Sequence, residues 1–296
     1  MFRIPTLLGL TLAWTSSCGD AAPDVAGNES TVLRFSAIPD ENTTELQQKF
    51  GRVAEYLSAE LGVEVEYVPT ANYGASVQAF KNGDIHLAWF GGLTGVQARA
   101  AVEGSRAIAQ GKVDPAYKSY FIANKDSGLE PSDDFPMGIA DKKFTFGSDR
   151  STSGRLMPEH FIRQFTGKSP AEFLGGEMQF SGSHDKAAEL VEAGTFDVGV
   201  LSYKTYDGLV AEGKIDPEVC RIIWSTPPYP DYNWTAHPAL DEVFGAGTID
   251  KVQAALVGMT DAELLNAVRR PEGIIPATND DFASVAELAA SLGFLQ

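Results

Sequence analysis

Along residues 45–61 the apolar positions Leu46, Phe50, Val53, Leu57 and Leu61 recur every three or four residues, which lays one apolar face along a helix. Gly62 follows as the residue that ends it. Residues 32–38 form a short apolar strand stopped by Pro39, and residues 63–68 alternate apolar and polar as a half-buried strand does. Strand, helix, strand is the unit from which parallel sheets are built. A second such unit follows: a helix from Tyr73 to Phe80 closed by Lys81-Asn82-Gly83, a strand over 84–90, a turn at Gly91-Gly92 and a helix over 93–102.

The arrangement recurs further on. A helix over 184–192 is closed by Ala193-Gly194, a strand covers 195–201, and a helix over 203–212 ends at Gly213. The stretches AFKNGDIHLAWF and LVEAGTFDVGVL match in pattern rather than identity, which suggests two lobes of similar construction. Strands at 120–123 and 221–224 are each followed by a polar or Pro-rich stretch, so the chain is expected to leave one lobe near Asn124 and return near Pro227. The expected organisation is therefore 32–123 and 227–296 for the first lobe and 124–226 for the second, with two crossings that act as a hinge.

The first residues are built differently. One positive charge at Arg3 precedes an apolar run of residues 4–14, and Thr15-Ser16-Ser17 leads to Cys18. This is a secretory signal over 1–17, too short to span a bilayer. The cysteine after small residues resembles a lipoprotein acylation site, which predicts a membrane-anchored, extracytoplasmic protein. Residues 18–31 read as the lipidated N-terminus and a flexible tether. With Cys18 acylated, Cys220 has no disulfide partner and is expected to be a small buried hydrophobe.

Composition narrows the function. Of 296 residues 44% are hydrophobic, enough for one large core or two smaller ones. The formal net charge of −17, from 40 acidic and 23 basic residues, argues against nucleic acid and anionic lipid surfaces as partners.

Ser151-Thr152-Ser153-Gly154 is the most informative tetrapeptide. It follows a strand and opens a helix, so three hydroxyls and several unpaired backbone N–H groups gather at a helix N-terminus. One hydroxyl suffices for an N-cap, and three with a glycine exceed that need. Such a place binds a tetrahedral oxyanion without a cationic side chain. Ser181-Gly182-Ser183-His184-Asp185 opens the next helix and has two readings: His184 donates to a ligand, or Ser183 and Asp185 merely cap the helix. Both motifs, and Tyr73 in the other lobe, lie beyond the carboxyl ends of strands, where open α/β sheets bind ligands. Trp89, Phe90, Tyr229, Tyr232 and Trp234 are candidates to line a cleft or fill the core. Catalysis has little support. None of the four histidines stands at metal-ligand spacing with another, and no nucleophile elbow, P-loop or dinucleotide fingerprint occurs. No enzyme activity, metal or cofactor is expected.

From about Leu33 to Leu295 the chain resembles the substrate-binding proteins of phosphate, phosphite and phosphonate ABC importers. The matching stretches are AWFGGLT at 88–94, STSG at 151–154, SGSHD at 181–185, STPPYPDYNW at 225–234 and IPATNDDF at 275–282. The resemblance implies the two-lobed periplasmic-binding type 2 α/β fold, each lobe a mainly parallel sheet flanked by helices, and an ABC permease as partner of a monomeric binding protein. It places the oxyanion on Ser151, Thr152, Ser153, His184, Asp185 and Tyr73, with Phe90, Thr94 and Ser202 as further candidates. Gly95 stands where phosphonate binders carry an aromatic, and no acidic residue lies near Ser202, which speaks against an aminoalkylphosphonate. The IPDENTTELQ opening and the PPYPDYNW loop look closest to a branch labelled as selenate importers. The expected function is capture of a small oxyanion for import, with Asp185 accepting the proton of a phosphite or phosphonate. The alternatives are a group-16 oxyanion such as selenate, or an anchored oxyanion-sensing domain that signals to a partner protein.

Overall fold

The computed structural model describes Met1 and residues 31–295, so the expected signal segment, Cys18 and the expected tether up to residue 30 lie outside the described residues. The chain lays down β1 (Leu33–Ala37), α1 (Thr43–Leu61), β2 (Val65–Tyr67), α2 (Tyr73–Asn82), β3 (Leu87–Phe90), α3 (Gly92–Ala101) and β4 (Arg106–Gly111). It continues through β5 (Ser119–Asn124), β6 (Phe144–Phe146), α4 (Met157–Thr166), α5 (Pro170–Leu174), β7 (Gln179–Phe180), α6 (His184–Glu192), β8 (Val198–Ser202), α7 (Tyr203–Ala211) and β9 (Cys220–Ser225). The last part contributes β10 (Asn233–Ala236), α8 (Ala239–Phe244), α9 (Thr248–Gly258), α10 (Ala262–Ala267), β11 (Ile274–Pro276) and α11 (Ala283–Ser291). Among the described residues no helix is long and apolar enough to cross a membrane.

Local chemistry explains these elements. The Asn42 side chain accepts from the N–H groups of Thr44 and Glu45 at the start of α1, and Gly62 ends the helix at φ 67°. Leu46, Phe50, Val53 and Leu57 are buried along the face that the spacing predicts. Removing an aromatic or aliphatic side chain of this size from water stabilises the fold by about 1.5–3 kcal/mol. Phe35 and Trp89 pack on Trp234 over the first sheet, with ring centroids 5.8 and 5.3 Å away. Phe121, Phe135 and Phe161 surround Trp224 over the second, at 5.2, 5.3 and 5.6 Å. Cys220 is buried in that second part, its thiol on Ala188 O, and burial pushes it up to about 12.

The strands form two sheets, ordered β11-β4-β10-β3-β1-β2 and β7-β6-β8-β5-β9. Both are mixed. The strand–helix–strand units pair in parallel (β1 with β2 and β3, β6 with β7 and β8), whereas β10 and β5 enter antiparallel, and β11 closes the first sheet antiparallel to β4. β5 and β10 each follow directly on a passage between the sheets. The lobe boundary differs from the sequence reading at one place. β5 pairs with β8 and β9, so the chain changes sheet over 112–118, before that strand rather than after Ala123. It returns over 226–232. The two passages hold each other: Tyr117 and Tyr229 exchange backbone hydrogen bonds of 2.9 and 3.0 Å, and Asp231 N–H donates to Asp114 O at 3.1 Å.

Candidate functional site

The site forms where the two sheets' strand ends face each other. On the second-lobe side, β6 runs through Gly147 into Ser151, whose Oγ accepts the Gly154 N–H at 2.9 Å and so caps the helix. The next turn, Thr152–Leu156, is π-helical before α4 begins. A π-turn is wider than an α-turn and often marks a functional site. Gly154 suits the close approach here, because a Cβ would lie 3.0 Å from the Gly147 Cα while Gly147 N–H donates to Gly154 O.

With Ser151 used as the cap, the other two hydroxyls are released for other work. Thr152 Oγ1 reaches across to the other lobe and accepts the Leu93 N–H at 2.9 Å, at the start of α3. Ser153 Oγ lies 3.4 Å from His184 Nε2. His184 opens α6, is 1% exposed, and its backbone N–H donates to Asp40 O of the first lobe at 2.9 Å. Its Nδ1 accepts the Ser202 N–H at 3.3 Å, which leaves Nε2 as the protonated nitrogen and a donor. Burial holds the imidazole down at about 4, the Glu41 carboxylate opposing. The ring is therefore neutral at ordinary pH.

The first lobe supplies the facing wall. Tyr73 at the start of α2 is 1% exposed, and its hydroxyl, beside Ser151, has no hydrogen-bond partner among the described residues. Asp231, also 1% exposed, accepts the Gly92 N–H at 2.8 Å through Oδ1, while its Oδ2 is likewise unpartnered. Burial raises this carboxyl to about 7, against the pull of the Gly92 N–H and the Thr152 hydroxyl. The first two amides of α3 are thus taken by Asp231 and Thr152, which leaves the Asp231 Oδ2 as an unpartnered acceptor beside these donors.

The remaining sequence candidates separate. Asp185 does not join the cluster: its carboxylate takes the Ser183 hydroxyl and the Lys186 N–H in the partly exposed first turn of α6. Ser183 stands at the N-cap position without a side-chain cap hydrogen bond, and the Asp185 carboxylate in the first turn is favoured by the positive end of the helix dipole. Phe90 is wholly buried edge-on to Phe80 and belongs to the core. Thr94 turns its hydroxyl back to Gly91 O at 3.2 Å. Ser202 is a supporting residue, its Oγ shared by Tyr117 Oη and the Thr205 N–H and its own N–H on His184. Asp231 was missed as an individual residue. The stretch around it stands out in the sequence, yet a lone aspartate in a Pro-rich loop carries no sign that it will be buried. Among the described residues no group of His, Cys, Asp and Glu could hold a metal ion.

Tyrosine and serine hydroxyls and one neutral imidazole N–H, with the buried carboxyls of Asp231 and Asp40 beside them, can hold a small oxyanion. Comparison with known proteins gives the family. Residues 35–282 match the family described as ABC transporter, phosphonate, periplasmic substrate-binding protein. The probable ABC transporter phosphite-binding protein PhnD1 of Prochlorococcus marinus is 39% identical over 230 residues, 77% of each chain. The structure of PhnD1 in complex with methylphosphonate superposes with a TM-score of 0.83 at 35% identity, covering 88% of this chain and 98% of that one. The phosphate-import protein PhnD of Mycolicibacterium smegmatis is 26% identical over 98% of this chain and 96% of its own length. The aliphatic sulphonate-binding protein SsuA of Escherichia coli, 13% identical with a TM-score of 0.57 over 89% of this chain and 88% of its own, shares the two-lobed fold alone. The chain belongs to the periplasmic substrate-binding proteins of phosphonate-type ABC transporters, and it is a solute-binding component rather than an enzyme.

Proposed function

We propose that this protein captures a phosphorus oxyanion carrying one proton, phosphite or a short alkylphosphonate such as methylphosphonate, and delivers it to a membrane permease. The observation that carries the reading is the buried Asp231 carboxyl, with one oxygen on the Gly92 N–H and the other unpartnered beside Thr152. An ionised carboxylate only accepts hydrogen bonds. A hydrogenphosphite or hydrogenphosphonate offers it a P–OH, while its remaining oxygens take the hydroxyls of Ser153 and Tyr73, the His184 Nε2–H and the amides of the π-turn. Hydrogen bonds to a charged group contribute about 1.5–3 kcal/mol each. Four of them are consistent with sub-micromolar binding, which needs about 8 kcal/mol.

Selenate and sulfate bring no proton near neutral pH and would set lone pairs against Asp231, so the selenate reading gains no support from this geometry. The decisive experiment is calorimetry of wild type and Asp231→Asn with phosphite, methylphosphonate, phosphate, sulfate and selenate. Wild type is expected to prefer the phosphorus anions, and the variant to lose them at least tenfold and gain sulfate or selenate. A wild type that prefers selenate, with Asp231→Asn unchanged, overturns the reading.

The same proposal places the protein outside the cytoplasm, held to a membrane by acyl chains at Cys18, with the lobes closing about the passages at 112–118 and 226–232.

A further inference from the structure

We infer that Arg269 is the clasp that holds the two lobes shut, and that it sets how long a bound solute stays. The inference rests on the solute-binding function proposed for the cleft but concerns residues outside the ligand site. Arg269 follows α10 in the first-lobe part of the chain and has φ 51°, a left-handed backbone that residues other than glycine rarely adopt. Its guanidinium takes Glu41 with two prongs, Nε to Oε1 and Nη2 to Oε2 at 2.7 Å. Nη1 extends to Glu212 Oε1 at 3.2 Å, just past the end of α7 in the second lobe. Glu41 Oε1 in turn accepts the Thr205 hydroxyl at 3.2 Å, in the first turn of α7. One ion pair of the first lobe therefore grips α7 at both ends.

Gly208 lies between those two points, on the same face as Thr205 and Glu212 by helical spacing. A Cβ at 208 would overlap the Arg269 guanidinium. Glycine inside a helix is less favourable than alanine, and here the close crossing of the other lobe explains it. Two flanking pairs also cross, Lys204 with Glu272 and Lys214 with Glu45 at 2.8 Å. The Lys214 and Glu45 side chains are 43% and 40% exposed, and solvent screens such a pair. The Arg269 and Glu41 side chains are 16% and 6% exposed, so their pair is screened far less.

The clasp is tied to the site through His184. Asp40, next to Glu41, accepts the His184 N–H, and Ser202, the N-cap of the α7 that the clasp grips, donates to its Nδ1. Releasing α7 from Glu41 and Arg269 draws His184, tied to α7 through Ser202, away from Asp40 of the first lobe. An interaction made only when the lobes are together acts on dissociation rather than encounter.

The test is stopped-flow kinetics of the full-length protein with methylphosphonate and with phosphite, for wild type, Arg269→Gln, Gly208→Ala, their double variant and Lys214→Gln. Arg269→Gln and Gly208→Ala should each raise the dissociation rate at least tenfold with the association rate within twofold. The double variant should go no further than Arg269→Gln, and Lys214→Gln should stay within twofold of wild type. Gly208→Ala should leave the ligand-free melting temperature unchanged or higher. Dissociation rates within twofold of wild type for Arg269→Gln or Gly208→Ala overturn the clasp, as does a lowered ligand-free melting temperature in Gly208→Ala. If the wild type binds neither anion, it is the proposed function that fails. The clasp is then judged by small-angle scattering, where Arg269→Gln must enlarge the radius of gyration and an unchanged radius overturns it.

Discussion

Ser202 N–H meets His184 Nδ1 at 3.3 Å, and this contact decides that the imidazole presents a donor, not a lone pair, to Ser153 and the space beside it. Replacing His184 by Ala should weaken oxyanion binding by about ten- to a hundredfold, the loss of one hydrogen bond to a charged group. Calorimetry gives the affinity, and circular dichroism checks that the fold persists. An affinity within twofold of wild type would remove His184 from the site.

Tyr73→Phe separates stability from binding. The hydroxyl is buried without a partner among the described residues, a situation that costs about 1–3 kcal/mol. Its removal should leave the melting temperature without ligand equal or higher, and should lower affinity for methylphosphonate about tenfold. A loss of stability without ligand would mean that the hydroxyl serves the fold.

Asp231 gives a pH dependence with a definite sign. Its folded value, raised to about 7 from 3.8, lies above the unfolded one. The folded form therefore binds the extra proton between those values, and stability falls as pH rises from about 4 through 7. His184, lowered to about 4 from 6.5, acts oppositely and loses stability as pH falls through that range. Asp231→Asn removes the first effect alone. Its melting temperature should exceed wild type by a margin that grows from pH 4 to pH 8, because each pH unit between the two values costs the wild type about 1.36 kcal/mol. A margin independent of pH would show that the carboxyl is ionised throughout.

For Asp185 the expectation is small. Its carboxylate faces Ser183 and the Lys186 amide, so Asp185→Asn, which keeps the side chain's shape and one acceptor oxygen, should change the affinity for phosphite and for sulfate by less than twofold. A shift in favour of sulfate would instead give Asp185 the proton-reading role proposed for Asp231.

Cys18→Ser tests the anchor. The variant should leave the membrane fraction for a soluble extracytoplasmic one, as measured by immunoblotting of fractions. Retention in the membrane fraction refutes acylation at that residue.

Much of the fold is written locally. The α1 face of Leu46, Phe50, Val53 and Leu57, the helix end at Gly62, and α6 at His184–Glu192 follow from spacing, caps and turn chemistry, which act over a few residues. The clustering of Ser151, Thr152 and Ser153 at a helix start is local in the same way. What each hydroxyl does is not local: Ser151 caps, Thr152 crosses to Leu93, and Ser153 faces His184, because two lobes meet there. Sheet membership of β5 was likewise settled by pairing with β8 and β9, partners distant in sequence. Asp231 and Asp185 show the limit most clearly. Both are aspartates in polar stretches, yet Asp231 is buried with an unpartnered oxygen while Asp185, partly exposed, takes the Ser183 hydroxyl and the Lys186 N–H. Burial raises both carboxyls, but the near-complete burial of Asp231 comes from chain segments distant in sequence, so only the tertiary structure determines it.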